Sequence, residues 1–121
     1  MKVFLTVLGA YAALDCFWVG FAAHELYRSH LGHLMATDVA WRAVALFYPL
    51  YTVGILRFAV YSRSPIFNGA LLGLFAYGTY DLVNIALLRD WPWGIGLIDV
   101  AWGTFATTVA AGLGARAKRR R

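Results

Sequence analysis

Four long apolar runs, separated by short polar stretches, organise this chain. They cover residues 3–23, 39–61, 69–88 and 95–113. Each is near the ~20 residues that a helix needs to cross a bilayer. The one long connection is 24–38, where Leu26 or Tyr27, Leu31, Leu34 and Met35 recur at helical spacing against Glu25, Arg28, His30 and His33. That alternation predicts a short helix lying in the interface plane. Asp38 is placed to cap the helix that follows. Ser62-Arg63-Ser64-Pro65 makes a tight turn. Arg89-Asp90-Trp91-Pro92-Trp93-Gly94 makes another, with both Trp residues at headgroup level. The expected fold is all-α: an integral membrane four-helix bundle with a short interfacial helix between spans one and two. Residues 1–115 form the four-span domain and 116–121 a basic tail.

Composition removes the soluble alternative. Hydrophobic residues make up 61% and charged residues 14%, against about 45–50% and about 25% in soluble globules. Cys16 is the single cysteine, so no disulfide can form within the chain, and its place in an apolar run predicts a buried side chain. The start of the chain imitates a signal peptide ending at Ala10-x-Ala12. It is shorter than the usual 15–30 residues or so, and the apolar run continues past it, which predicts an uncleaved first span.

The net charge of +5 is unevenly placed, since five of the eleven basic residues are Arg116, Lys118, Arg119, Arg120 and Arg121. Such a tail after a spanning helix suits an anionic leaflet, so membrane lipids, and no nucleic acid, are the expected partners. Lys2, Arg57, Arg63 and the tail fall on one side of the bundle, and Arg28, Arg42 and Arg89 on the other. The positive-inside rule then puts both termini in the cytoplasm.

Against this background the polar residues inside the runs stand out: Asp15, Asp81 with Asn84 one turn on, and Asp99. A carboxyl at such depth costs roughly 2.5–3.5 kcal/mol on insertion scales. At ~1.5 Å per residue the three lie about 12, about 10 and about 7 Å from the outer ends of their helices. Arg42 and His24 descend toward the same level. Three charged carboxylates cannot share a dry site, so protonation, a cation or water must compensate them. Tyr11, Tyr48, Tyr77, Tyr80 and Asn84 supply hydrogen-bonding groups, and Trp18 and Trp102 extend the walls. The expectation is a polar and aromatic cavity in the outer half. The alternative is that each Asp, protonated, ties its own helix to a neighbour.

Small residues predict where helices approach. Gly9, Ala13 and Gly20 in the first run and Gly69-x-x-x-Gly73 in the third are the expected close contacts. Pro49 cannot donate to the Ala45 carbonyl, which predicts a kink. His30 and His33, with His24 and Glu25 nearby, lack a full ligand set, so neither metal nor cofactor is assigned. Asp15-x-x-Trp18 and Asp99-x-x-Trp102, each followed closely by Gly, form a faint internal repeat.

Leu14-Asp15-x-x-Trp18-x-Gly20, Phe47-Tyr48-x-x-Tyr51, Ala76-Tyr77-Gly78-Thr79-Tyr80-Asp81-Leu82-x-Asn84 and Asp99-x-Ala101-Trp102-Gly103 span nearly the whole chain. Together they resemble the signature of a bacterial family of four-span membrane proteins, domain of unknown function 2177. The resemblance implies a multi-pass protein of the bacterial inner membrane. Through the enzymes that members of the family accompany, it also points to membrane fatty-acid modification. It carries over no catalytic residues.

The functional expectation is a binding protein for a small or lipid-like ligand, either accessory to lipid modification or catalysing it. Its ligand-binding residues would be Asp15, Asp81, Asp99, Asn84, Arg42, Tyr11, Trp18, Tyr48, Tyr77, Tyr80, Trp102 and His24. Two alternatives stand beside it: an oligomeric proton- or cation-coupled transporter, and a structural subunit of a larger membrane complex. Each of these needs a partner, a second copy in the first case and another membrane protein in the second.

Overall fold

A computed structural model describes residues 1–22, 24–34 and 40–120, with the side chains of all of these except Ala22, His24, Leu26 and Tyr27. Every regular element among them is helical. Helix α1 (Lys2–Phe17) runs into a wider π-helical turn at Trp18–Ala22. Helix α2 (His24–Leu31) and a short 3₁₀ turn (Gly32–Leu34) follow in the long connection. Helix α3 (Trp41–Ile55) also ends in a π-helical turn, Leu56–Val60. Helices α4 (Pro65–Leu87) and α5 (Trp93–Arg119) complete the chain. Among the described residues four stretches are long and apolar enough to cross a membrane: Lys2–Phe21, Trp41–Val60, Pro65–Leu87 and Trp93–Arg119. The molecule is an all-α membrane helical bundle. The apolar face expected for α2 and the Asp38 cap rest on Leu26, Tyr27, Met35 and Asp38, which lie outside the described side chains.

Local chemistry explains the boundaries. Pro65 opens α4, where its missing N–H would have had no partner anyway, and the Ser64 carbonyl accepts from the Asn68 N–H at 2.8 Å. Pro92, in extended conformation, precedes α5. Pro49 sits inside α3 without ending it, and Thr52 donates to the Tyr48 carbonyl at 2.7 Å just beyond it. Helix α5 carries Arg116, Lys118 and Arg119 within it.

Helix α5 is the centre of the bundle. It packs along α4 on one side and α1 on another, and it holds more of the buried described residues than any other helix. The reason is side-chain size. Ala106, Thr107, Ala110, Ala111, Gly114 and Ala115 keep its surface thin enough for several helices to approach. A methyl group on Gly69 would lie 2.8 Å from the Ala111 Cβ, and one on Gly73 would lie 2.8 Å from the Gly103 carbonyl oxygen. These two glycines therefore make the close contact that their spacing suggested. Gly114 meets Val7 of α1 and Val60 of the second π-helical turn in the same way. Val3, Val7, Tyr11, Ile55, Ala59 and Val60 close this end against α5.

Helix α1 differs from expectation. A Cβ on Gly9 or Gly20 would meet nothing within 4 Å, and Ala13 is exposed. The face of α1 that packs is Val3–Val7–Tyr11, one residue per turn, and those small residues lie off it. Cys16, expected to be buried, is exposed. Its neighbour Asp15 points inward, and one step along a helix turns the next side chain away by about 100°.

Most of the outer surface is apolar. Leu46 and Leu50 of α3 are 72% and 75% exposed, and Phe67, Phe75 and Leu82 of α4 are exposed as well. Among soluble monomers contiguous apolar surface of this kind is rare; against lipid it is the expected solvent face. The two ends of the bundle are each tied by a polar contact. At the end bearing the termini, the Lys118 Nζ donates to the Val60 carbonyl at 3.3 Å and lies 5.0 Å from the Tyr61 ring. At the other end His33 and Asp90 pair at 2.9 Å, joining the 3₁₀ turn to the α4–α5 connection.

Candidate functional site

The α4–α5 seam positions the site. Its facing pairs Gly69/Ala111, Gly73/Thr107 and Tyr77/Gly103 run antiparallel, one helical turn apart, and Ile85/Gly96 follows two turns on. The turn between Tyr77 and Ile85 belongs to Asp81, and its opposite in this register is Asp99. A Cβ on Gly96 would lie 3.6 Å from the Asp81 Cβ, so α5 passes close to that carboxyl. Asp81 is 1% exposed, and neither of its carboxyl oxygens has a hydrogen-bond partner among the described residues. Unsatisfied buried groups of this kind are rare, because each forgoes its hydration without recompense.

Beside this seam lies a cavity of about 390 Å³ to which all four long helices contribute. Asp15 comes from α1 and Asp99 from α5. Phe47 and Tyr51 come from α3, and Ala76, Tyr77 and Tyr80 from α4. The volume is at the lower end of the ~300–1,000 Å³ typical of small-molecule sites. Its walls are aromatic and its charged groups are both carboxyls.

Hydroxyl groups fix this lining. The Tyr48 hydroxyl donates to Asp15 Oδ2 at 2.6 Å, the short distance typical of a hydroxyl on a carboxylate. One turn further in, the Tyr11 and Tyr77 hydroxyls are hydrogen-bonded, and Tyr51 shares a 2.6 Å bond with Thr107. The Tyr11 ring is fully buried, 5.0 Å from Tyr51 and 6.0 Å from Tyr48 in edge-on contact. Each ring thus serves two purposes, filling space with its face and bonding with its hydroxyl.

The faint repeat acquires a geometry. Helices α1 and α5 are antiparallel neighbours, and the Asp of each Asp-x-x-Trp motif lines the cavity. The two Trp residues, Trp18 and Trp102, stack on one another at 4.8 Å with their planes 8° apart. Trp18 is also where α1 widens into its π-helical turn.

Of the residues singled out from sequence, Asp15, Asp99, Tyr77 and Tyr80 line the cavity. Tyr48 and Tyr11 stand behind it as hydrogen-bond partners, and Trp18 and Trp102 flank it as a stacked pair. Asp81 lies outside the lining, buried at the seam. Asn84 is half-buried, and its amide nitrogen has no hydrogen-bond partner among the described residues. Arg42 is not brought to the carboxyls: it is exposed in the first turn of α3, outside the lining. The His24 side chain lies outside those described. Phe47, Tyr51 and Ala76 line the cavity without having been counted among the ligand-binding residues. The signal for the first two was present, since they are one turn apart and share a face, whereas Tyr48 points elsewhere. Ala76 gave none, because a small residue marks a cavity only when its surroundings are known.

The fold and this interior define a four-span membrane protein with an aromatic, acid-lined hollow among its helices. The chain belongs to the family described as "Predicted membrane protein (DUF2177)", whose model matches residues 1–116. No curated protein and no solved structure matches it.

Proposed function

We propose that this protein binds a small or lipid-like ligand in the cavity between its four long helices. The observation that carries this reading is the lining itself: two carboxyls on different helices, Asp15 and Asp99, set into walls of Phe47, Tyr51, Tyr77 and Tyr80. Apolar walls with a few convergent polar groups are the general character of ligand sites. With the basic residues inside, the cavity lies in the outer half of the membrane, the three Asp residues are intramembrane, and both termini are cytoplasmic. A site there would serve membrane lipid modification. It would present the ligand to an enzyme or, with a protonated Asp as general acid, act on it directly. The opposite half speaks against a transport path through one chain, since Gly69, Gly73 and Val7 close it against α5 with no room for a methyl group.

Ala76→Trp tests the reading. Ala76 lines the cavity and is exposed, so a large ring there fills the hollow with little strain on the core. Mass spectrometry of small molecules and lipids co-purifying with the folded wild type should reveal a species that the variant has lost. Identical inventories from the two proteins would discard the proposal.

A further inference from the structure

We infer that the outward face of α5 binds one anionic phospholipid, its phosphate on Arg116, Arg119 and Arg120 and an acyl chain along Phe105, Val109 and Leu113. This site is separate from the cavity and does not rest on it. Helical spacing sets the three Arg residues within an arc of about 100°. All three are exposed. The inward side of the same turns is different. Gly114 and Ala115 are buried there, and the Lys118 Nζ reaches the Val60 carbonyl at 3.3 Å. Packing thus draws in one base of this segment and turns Arg116, Arg119 and Arg120 outward.

Two further observations name the occupant. The first is the apolar track below the Arg residues. Phe105 and Leu113 are 54% and 41% exposed, with Val109 half-buried between them, and helical spacing puts all of them on the face of Arg116. From Phe105 to Arg116 the helix extends about 16 Å, close to the ~15 Å half-thickness of bilayer hydrocarbon. An acyl chain lying on this track brings its phosphate level with the guanidinium groups, whose forked N–H donors match phosphate oxygens. The second is the charge of the whole end. Every Asp and Glu of the chain lies within residues 15–38 or 81–99, and none in the segments that meet here. Lys2 and Arg63 add to the positive field, since Val3 packs in one cluster with Ala117, and Arg63 follows shortly after Val60. An ethanolamine or choline headgroup carries an ammonium, which would meet only like charge at this end. A glycerol headgroup leaves the phosphate's charge unopposed, so phosphatidylglycerol is the chemistry that fits.

The experiment uses the full chain in nanodiscs of equal phosphatidylethanolamine and phosphatidylglycerol with identical acyl chains. After transfer to maltoside and brief delipidation, native mass spectrometry reads the lipid that stays bound. The wild type should retain one phosphatidylglycerol per chain, enriched at least ~5-fold over the ethanolamine lipid. R116Q/R119Q/R120Q should bring the two lipids to within ~2-fold of one another. R28Q/R89Q removes bases from the opposite end and should leave the enrichment unchanged. If the triple variant does not fold, R116Q alone replaces it and should lower the enrichment by about half or more. Equal retention of both lipids by the wild type overturns the proposal, as does enrichment that survives loss of the α5 Arg residues. An equal fall in R28Q/R89Q also overturns it, because net charge and not this face would then select the lipid.

Discussion

Helix α4 meets α5 in two different ways along its length. In its first half Gly69 and Gly73 press backbone to backbone against Ala111, Gly103 and Thr107. In its second half Tyr77 and Asp81 continue the same row with a ring and a carboxyl where the first half has nothing larger than a hydrogen atom. The same pair of helices therefore meets backbone to backbone at one end and through side chains at the other, with the cavity beside that second half. In lipid there is no hydrophobic gain from bringing apolar helices together, so close contact between small residues must supply the attraction. The glycine half provides it, and the polar half is held open by the bundle that results. Tyr51 marks the border, since its ring lines the cavity while its hydroxyl binds Thr107 in the closed half.

The contrast is broken most severely from the closed side. Gly73→Leu would drive a side chain into the Gly103 carbonyl and the Thr104 Cα, both 2.8 Å from where its Cβ would start. Backbone cannot yield as a flexible side chain can, so a loss of about 3 kcal/mol or more is expected in unfolding from mixed micelles. Gly78→Ala on the same helix meets nothing within 4 Å and should be neutral or gain up to ~1 kcal/mol from helix propensity. Similar losses in both variants would show that the seam is not what holds α4.

Next in size is the hollow side. Tyr48→Phe removes the hydroxyl that donates to Asp15 at 2.6 Å and strands a half-buried carboxyl. A cost of about 1–3 kcal/mol is expected in the same unfolding assay. No measurable cost would mean that Asp15 is satisfied without Tyr48 and that the cavity wall is softer than its hydrogen bond suggests.

The smallest effect belongs to the outer clasp. His33 and Asp90 are 52% and 54% exposed, so their 2.9 Å contact is screened by water. His33→Gln should change stability by less than about 1 kcal/mol. A larger loss would make the 3₁₀ turn part of the frame that keeps the hollow end in shape.

The chain's sequence by itself determined that it is a membrane protein with four long apolar helices, where most of them begin and end to within a few residues, and that a short helix lies between the first two spans, although the last helix runs on to Arg119 past its expected end. These follow from local chemistry. An apolar run of that length must satisfy its own backbone hydrogen bonds in lipid, and Pro, Gly and charged turns end it.

Only the tertiary structure decided how each helix is rotated against its neighbours. That rotation makes α5 the centre, points Asp15 and Asp99 into a shared hollow while Asp81 stays enclosed at the seam, and leaves Arg42 outside. It also gives Gly69 and Gly73 a partner while Gly9 and Gly20 face open space. A glycine in a sequence records only that no side chain is present. Whether the space is taken by another backbone, by a ring such as Tyr77 against Gly103, or by nothing depends on the helix brought opposite it. That pairing joins residues far apart in the chain, and no local spacing encodes it.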